Sequence, residues 1–411
     1  MKATLACFVL FLFLYVATAG GHLYSPDEEL MFRTCESLSA RLRLDVEPMG
    51  GFATMRGRGG LQYAQYGVGQ VVAAAPFYWL GRALEKMLPA NVLKRVARPT
   101  VIYHGGSPVE WARRLGVSFF GAFVGALTVA LLFNIALGLT ASRAAAWWTA
   151  AVYGAGTLAW PHSKTFFSEP LATLCLLATL AALVKARCST RPNLWWATAG
   201  AAAGYAVFTR LDSAVPLLGL AVFAILELIE VEPVKERAEN ANADDDSIIL
   251  NQVRLSKSFA VRLFPAIAIG LVFLFLILVM NNLRFGRFLT TGYGDQPEGL
   301  NFGTPLPAGL YGLLFSVGKG LFFFSPPLVL SLFAFGSFFR ADWRLATGVC
   351  ILLLATLIFH AQWINWAGGW CWGPRHIFAM HVFLALPIAF WVKERYGPVC
   401  RICLTVFLTT G

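Results

Sequence analysis

The sequence predicts an all-α fold: a polytopic bundle of about 10–11 transmembrane helices, with interfacial juxtamembrane helices in a large first outer loop. Of the 411 residues, 57% are hydrophobic and 13% are charged. Soluble domains have about 25% charged residues, so this chain has too little charge for a water-facing surface. About 20 apolar residues span a bilayer, and apolar runs lie at 3–20, 113–139, 144–161, 165–184, 194–209, 213–229, 261–281, 321–339, 345–364, 376–392 and from 399 onwards.

The positions of the basic residues orient these helices. Short loops that contain Arg143, Lys185 or Arg340 alternate with loops poor in Lys and Arg. The positive-inside rule then places the basic loops and the N-terminus in the cytoplasm. The predicted regions are a first transmembrane helix at 1–20, an outer loop at 21–112, transmembrane helices at 113–230, a charged cytoplasmic loop at 231–260, and transmembrane helices with outer loops at 261–411.

Both ends of the chain leave an alternative open. Lys2, an apolar run and Ala17-Thr18-Ala19 also match a cleaved signal peptide, which would still leave the loop at 21–112 outside. The last apolar run stops at Gly411 and is short for a membrane span. This length is compatible with a chain truncated at its C-terminus.

The net charge of +11 predicts contact with membrane lipid rather than nucleic acid. Lys and Arg gather at the helix ends of membrane proteins, near anionic headgroups. The eight cysteines have no metal-ligand spacing, and His376 and His381 do not share a helical face. We therefore predict no metal site and name no certain cofactor, although a divalent cation remains compatible with the carboxylates. The expected location is the cell membrane, as a multi-pass protein.

A helix is predicted to begin inside the first outer loop. The segment from Ser25 to Glu28 contains a capping box with proline at the first helical position. Every fourth residue from Leu30 to Leu42 forms an apolar stripe, and Glu29 lies off that stripe. This pattern predicts an amphipathic helix in the membrane interface.

Asp27 is the candidate catalytic base of this helix. The capping box requires nothing acidic at its position, and a carboxylate fixed at a helix start near the bilayer surface is well placed as a general base. The alternative is that Asp27 only complements the helix dipole. For Glu28 the simpler interpretation is that its side chain only caps the helix.

Later outer loops add charged groups at helix ends. Glu169 follows Ser168 at a helix start, and Arg210 and Asp212 interrupt an apolar stretch. An ionised group near mid-bilayer costs about 2.5–3.5 kcal/mol, so such residues lie in a cavity or pair with each other. Both interpretations of Arg210 stay open, as does a dipole role for Glu169.

Two cations near glycines are candidates for holding a phosphate. Lys319 lies between two glycines, but this is not a Walker motif because Gly320 replaces the required Ser or Thr. Arg375 follows a glycine- and tryptophan-rich segment, and a guanidinium binds phosphate through two hydrogen bonds. The alternatives are a snorkelling lysine and an aromatic belt.

Taken in order, these segments resemble the GT-C type polyprenyl-phosphate-sugar-dependent glycosyltransferases. That group includes the protein O-mannosyltransferases and the lipid A aminoarabinose transferases. The resemblance covers nearly the whole chain and is carried by four motifs: Asp27-Glu28, Tyr-Gly-x-Gly-Gln at 66–70, Ser-Glu-Pro at 168–170, and Gly-Gly-Trp-x-Trp-Gly-Pro-Arg at 368–375. The chain departs from the family at Cys371, where a small hydroxyl residue is expected, and it lacks the C-terminal helices of larger relatives.

The resemblance implies a retained first helix and a set of site residues. Asp27 would be the base, assisted by Glu28 or Glu29. The donor phosphate would be held by Lys319, Arg375 and Arg210. The substrate cavity would be lined by His22, Tyr24, Tyr66, Glu169 and His376.

The implied reaction transfers a sugar, with inversion, from a polyprenyl-phosphate carrier to a hydroxyl of a glycan, lipid or protein acceptor on the non-cytoplasmic face. One alternative is a lipid or solute transporter or flippase, although no internal repeat is visible. A second is a non-catalytic membrane scaffold. An enzyme of this type requires one outward-facing cavity that brings Asp27 near Lys319 and Arg375.

Overall fold

The computed structural model describes residues 2–47, 52–98, 107–235, 249–255, 259–293 and 301–410, and most of these residues are helical. The helices are α1 Lys2–Ala17, α2 Pro26–Arg41, α3 Gly69–Met87, α4 Ala90–Val96, α5 Pro108–Thr140, α6 Arg143–Gly156, α7 Ala159–His162, α8 Glu169–Cys188, α9 Pro192–Thr209, α10 Ala214–Glu227, α11 Phe259–Phe285, α12 Leu306–Phe315, α13 Leu321–Phe324, α14 Val329–Ala341, α15 Trp343–Gln362, α16 Phe378–Arg395 and α17 Pro398–Thr410. Two antiparallel hairpins pair β1 Thr54–Arg56 with β2 Gln62–Ala64, and β3 Ile229–Lys235 with β4 Ile249–Leu255. The predicted all-α helical bundle is confirmed.

Several helices match the length and apolarity of a membrane span. Within the described residues, those long and apolar enough to cross a bilayer are Glu110–Thr140, Glu169–Cys188, Ala260–Phe285, Trp343–Gln362 and Arg375–Arg395. The chain is therefore an integral membrane protein. Shorter apolar helices lie at Lys2–Ala17, Leu306–Phe315 and Pro326–Ala341. Every predicted apolar run overlaps at least one helix, while the number of crossings stays a prediction.

The helices differ from the prediction in three places. The run predicted at 144–161 is divided into α6 and α7. The run predicted at 321–339 is divided into α13 and α14 at Pro326 and Pro327, because proline cannot donate the helical hydrogen bond. In addition, α12 lies between the predicted runs 261–281 and 321–339, where no helix was predicted. This helix has 10 residues, about half the length that crosses a bilayer, so the search for membrane spans did not find it.

The charged segment predicted at 231–260 contains most of two paired antiparallel strands. β3 and β4 pair in register from Ile229 opposite Leu255 to Lys235 opposite Ile249. Residues 236–248 and 256–258 lie outside the described part of the chain. The cytoplasmic position of this loop stays a prediction.

The predicted start of α2 is confirmed, but the helix does not have the predicted division into a buried apolar stripe and an exposed polar face. The Glu28 N–H donates to the Ser25 hydroxyl, and the Glu28 carboxylate accepts a hydrogen bond from the Tyr24 N–H at 2.9 Å. Glu29 is fully buried, where it pairs with Arg114 of α5 at 2.7 Å and with Arg33 on the next turn of α2 at 3.1 Å. Leu42, predicted to end the apolar stripe, lies beyond the helix and is exposed.

The centre of the bundle is α16, which is buried along most of its length among α5, α6, α8, α14 and α15. Small residues let neighbouring helices approach closely. Gly219 of α10 shows this, because an added Cβ would lie 2.3 Å from the Gly348 carbonyl oxygen. By contrast, α11 packs mainly on α9 and leaves its apolar surface exposed. Such an exposed apolar helix is suited to contact with lipid.

Candidate active site

The Asp27 carboxylate lies at the start of α2 and has two partners from distant segments. Its Oδ2 accepts a hydrogen bond from Nη1 of Arg375 at 2.5 Å, and its Oδ1 accepts one from the Tyr66 hydroxyl. The Asp27 and Arg375 side chains are 13% and 15% exposed. Three residues singled out in the sequence therefore meet at one point.

Arg375 is positioned by the loop that precedes α16. The backbone of Gly368 is left-handed, with φ of +71°, and a Cβ there would lie 3.0 Å from Cγ of Arg375. The glycine thus permits both the turn and the close approach of the arginine. The guanidinium lies over the Phe167 ring, 4.9 Å from its centroid. The ring therefore supports the guanidinium through a cation–π contact.

Phe167 and its neighbour are held in turn by the start of α3. The fully buried Gln70 amide donates to the carbonyl oxygens of Phe166 and Phe167 at 3.3 and 3.2 Å. Gly67 lets this turn approach closely, because a Cβ there would meet the Thr209 carbonyl at 2.3 Å. The Tyr-Gly-x-Gly-Gln motif therefore builds one wall of the site.

A chain of alternating charges continues from Arg375. Its Nε lies 3.9 Å from Glu169, and Nη1 of Arg210 lies 2.9 Å from the same Glu169 oxygen. Arg210 also donates two hydrogen bonds to Asp212, at 3.0 and 2.6 Å. Nε2 of His360 is 3.5 Å from Asp212. Both open interpretations of Arg210 thus hold in part, because it pairs with Asp212 and also faces a cavity.

The pKa of Asp212 reflects this network. Burial by itself would raise the pKa of the carboxyl group, but the Arg210 guanidinium and the His360 ring outweigh that effect. They hold the pKa of Asp212 well below its ordinary value. Asp212 is therefore ionised and keeps Arg210 in place.

One cavity of about 700 Å³ joins these groups. Of the predicted site residues, those that line it are Asp27, Tyr66, Glu169, Arg210, Arg375 and His376. Buried polar atoms almost always have hydrogen-bond partners. Here Oε2 of Glu169, Nε of Arg375 and both ring nitrogens of His376 have none within the described residues. These atoms suit a polar ligand.

Four other predicted residues lie outside this cavity. Glu29 pairs with Arg114 at 2.7 Å, and the His22 ring packs on Tyr24 with centroids 4.4 Å apart. Glu28 is fully buried beneath the helix start. The geometry thus separates Asp27 from both acidic neighbours.

Glu28 makes stability depend on pH. Burial raises the pKa of Glu28 from 4.5 to about 8, so the folded protein holds a proton that the unfolded chain has lost between these values. Stability should therefore fall as pH rises through this window and level off above about pH 8. We expect Glu28→Gln, which mimics the protonated form, to flatten that slope.

The measurement is the thermal unfolding midpoint in detergent between pH 6 and 9. Glu85→Gln is the control, because Glu85 pairs with Arg113 at 2.7 Å and its pKa is lowered instead. That variant should keep the wild-type slope. A Glu28→Gln slope equal to that of the wild type would contradict the assignment.

Lys319 lies beside the main cavity rather than in it. Its ammonium group donates to the carbonyl oxygens of Gly369 at 2.8 Å and Cys371 at 2.7 Å. It lines an open cleft of about 420 Å³ that shares Gly369 and Trp370 with the main cavity. The ammonium group thus fastens the loop on both sides of Trp370.

A second chamber, of about 310 Å³, adjoins the main cavity. The two share Tyr66, Arg210, Tyr293 and Trp363. Most of the remaining lining is apolar and comes from α9, α10 and α11, including Phe208, Val215 and Ile277. A polar cavity therefore opens into an apolar one beside the exposed helix α11.

Some site residues were missed in the sequence. Tyr293 lines both chambers, and Gly292 before it permits close packing, since a Cβ there would lie 2.3 Å from Cα of Gln65. Arg284, at the end of α11, donates to the carbonyl oxygens of Ala64 and Tyr66 at 3.2 and 2.8 Å. The available signal was an arginine that ends an apolar helix just before a glycine-rich loop. Within the described residues, no group of three or more His, Cys, Asp or Glu side chains could hold a metal ion.

Residues 107–237, about a third of the chain, match the model of the dolichyl-phosphate-mannose-protein mannosyltransferase family. No curated protein sequence matches the chain. Among solved structures it is similar to ArnT from Cupriavidus metallidurans, in the apo state (TM-score 0.59, 16% identity) and bound to undecaprenyl phosphate (TM-score 0.60, 14% identity). Each match covers 98% of this chain and 61% of ArnT.

A more distant similarity is to the oligosaccharyltransferase AglB from Archaeoglobus fulgidus, in complex with an inhibitory peptide and a dolichol-phosphate. Here the TM-score is 0.51 at 12% identity, over 96% of this chain and 50% of AglB. The chain thus spans about three fifths of ArnT and half of AglB. The resemblance to the GT-C type glycosyltransferases is confirmed, and the chain has their fold.

Proposed function

We propose that this protein is a membrane glycosyltransferase of the cell membrane. It moves a sugar from a polyprenyl-phosphate carrier to a hydroxyl of a glycan, lipid or protein acceptor on the outer face. The observation that carries the proposal is the direct contact of Asp27 with Arg375 in one cavity. A candidate base and a candidate phosphate-binding group therefore share one site.

The donor class is supported by the two chambers. The cavity with Arg375 and Arg210 suits a charged sugar phosphate, and the adjoining apolar chamber suits the first isoprene units of a lipid tail. The similar structures of ArnT and AglB were determined with undecaprenyl phosphate and a dolichol-phosphate. A lipid phosphate is thus the substrate class that fits both chambers.

The proposed step is a single displacement. Asp27 removes the proton of the acceptor hydroxyl, and the acceptor oxygen bonds to the anomeric carbon on the face opposite the phosphate. The bond from that carbon to the phosphate oxygen breaks, and its electron pair remains on the carrier phosphate. The configuration inverts, and protonated Asp27 then returns its proton to water. Positioned general bases contribute typically about 10²–10⁴-fold to rate.

The leaving phosphate needs cations more than a general acid. Arg375 supplies a guanidinium that can bind phosphate through paired hydrogen bonds, and Arg210, whose own fork is held by Asp212, supplies a second positive charge in the cavity. Glu169 contacts both and holds them as one unit. Lys319 ranks below them, since its ammonium group would have to leave the Gly369 and Cys371 carbonyls to reach a phosphate.

The test uses purified protein in detergent with a panel of polyprenyl-phosphate sugars and simple acceptors. The readout is free polyprenyl phosphate, with the released or transferred sugar measured in parallel. We expect at least one donor to be consumed and the carrier phosphate to appear in equal amount. Movement of a labelled lipid across liposomes without loss of its sugar would instead identify a flippase.

A further inference from the structure

Both carboxylate oxygens of Asp27 are occupied by neighbouring side chains. Oδ2 of Asp27 is taken by the Arg375 guanidinium and Oδ1 by the Tyr66 hydroxyl. Both carboxylate oxygens are therefore already engaged by side chains of the protein, and an acceptor hydroxyl would have to displace one of them to reach Asp27.

The Arg375 guanidinium binds Asp27 through one nitrogen and has another nitrogen without a partner. Its Nη1 binds Asp27, while its Nε is buried without a hydrogen-bond partner in the described part of the chain. The guanidinium also lines the large cavity. A phosphate carries more charge than a carboxylate and matches the guanidinium fork equally well. Phosphate and Asp27 thus compete for the same donor group.

We propose that the donor phosphate displaces Asp27 from Arg375, and that this exchange frees the carboxylate to act as the base. The inference rests on the proposed function and adds to it a coupling between donor binding and the release of the base. The base becomes competent only when the lipid phosphate is bound. An acceptor or water molecule that arrives first meets a carboxylate neutralised by arginine.

Tyr66 keeps the freed carboxylate in position. Its hydroxyl holds Oδ1, and its own backbone is fixed because Arg284 donates to the Tyr66 carbonyl at 2.8 Å. The exchange therefore removes the cation from Asp27 without removing the group that orients it. Tyr66 is a positioning residue in this scheme.

The test is a double-mutant cycle on the binding of undecaprenyl phosphate in detergent micelles. Asp27→Asn should bind the lipid about tenfold more tightly than the wild type, because Arg375 no longer has a competitor. Arg375→Gln should bind more weakly. In the Arg375→Gln background, Asp27→Asn should bring little gain, since the group for which the two compete is gone.

Glu169→Gln is the matched control. It removes a carboxylate from the same cavity, but its nearest cation is Arg210 at 2.9 Å, whereas Arg375 is 3.9 Å away. Its gain in affinity should be smaller than that of Asp27→Asn. Should Arg375→Gln not fold, Arg375→Lys replaces it, and the gain from Asp27→Asn should shrink there too, because lysine lacks the fork.

Two failures are distinguishable. In the first, the wild type binds undecaprenyl phosphate, but Asp27→Asn does not raise the affinity for the lipid, or raises it equally with and without Arg375. That result overturns the exchange and leaves the glycosyltransferase proposal standing. In the second, the wild type binds neither undecaprenyl phosphate nor dolichyl phosphate. That result overturns both the exchange and the glycosyltransferase proposal.

Discussion

Asp27→Asn is expected to lower turnover by about 10²–10⁴-fold, the usual contribution of a positioned general base. The asparagine side chain keeps the size of aspartate and still accepts a hydrogen bond from Tyr66, but it cannot take the acceptor proton. Donor affinity should not fall, because Arg375 and Arg210 remain in the cavity. The measurement is the release of polyprenyl phosphate under saturating donor.

Glu28→Gln and Glu29→Gln are the comparison variants for this assay. Both residues are acidic neighbours on α2, but neither lines the cavity. Glu28→Gln should retain most of the turnover. Glu29→Gln should act through stability, since Glu29 pairs with Arg114. If Asp27→Asn keeps wild-type turnover, Asp27 is not the base.

Arg210→Gln is expected to cost about 3–5 kcal/mol in the free energy of unfolding. The side chain is 15% exposed and lies between Glu169 and Asp212 at 2.9 and 2.6 Å. Removing one partner of a buried ion pair leaves uncompensated charge, and this is what carries the cost. The unfolding midpoint in detergent should fall clearly below that of the wild type.

Two further variants separate this network from ordinary surface charge. Arg340→Gln breaks the exposed pair with Glu394 and should leave the midpoint unchanged, because exposed pairs contribute little. Adding Glu169→Gln and Asp212→Asn to Arg210→Gln should recover part of the loss, since no unpaired charge then remains. A midpoint for Arg210→Gln equal to that of Arg340→Gln would contradict the buried network.

Local patterns singled out Asp27 and Arg375 as candidates but did not predict their contact. The capping box placed Asp27 at a helix start, and the glycine-rich segment before Arg375 made this arginine a candidate for holding a phosphate. No local pattern joins these two residues, which lie 348 positions apart, and only the resemblance implied that they share a cavity. Their contact follows from the packing of the whole bundle, and hydropathy records only that each helix is apolar.

The three acidic residues at 27–29 point in different directions, as helical geometry requires. Successive residues of an α-helix point about 100° apart, so three consecutive carboxylates cannot face one cavity. Asp27 faces the cavity, Glu28 turns back to the Tyr24 N–H, and Glu29 faces Arg114. The interpretation of Glu28 as a helix cap agrees with its hydrogen bond from the Tyr24 N–H, and the assisting role of Glu28 or Glu29 was implied only by the resemblance.

Lys319 shows a different limit. A lysine between glycines suggests an accessible charge, but the backbone carbonyls that satisfy it belong to a loop about 50 residues away. Main-chain acceptors have no sequence signature, since every residue carries one. The same reason hid Arg284, whose partners are also carbonyl oxygens.

The apolar chamber beside α11 bears on how the concentration of the proposed donor should be counted. A long isoprenoid chain stays in the bilayer, so it reaches this chamber by two-dimensional diffusion along the membrane. Its encounter rate then depends on its mole fraction among the surrounding lipids, and molarity in the bulk water has no bearing on it. Adding detergent at a fixed amount of carrier would dilute that surface and slow the reaction, with no change in the protein.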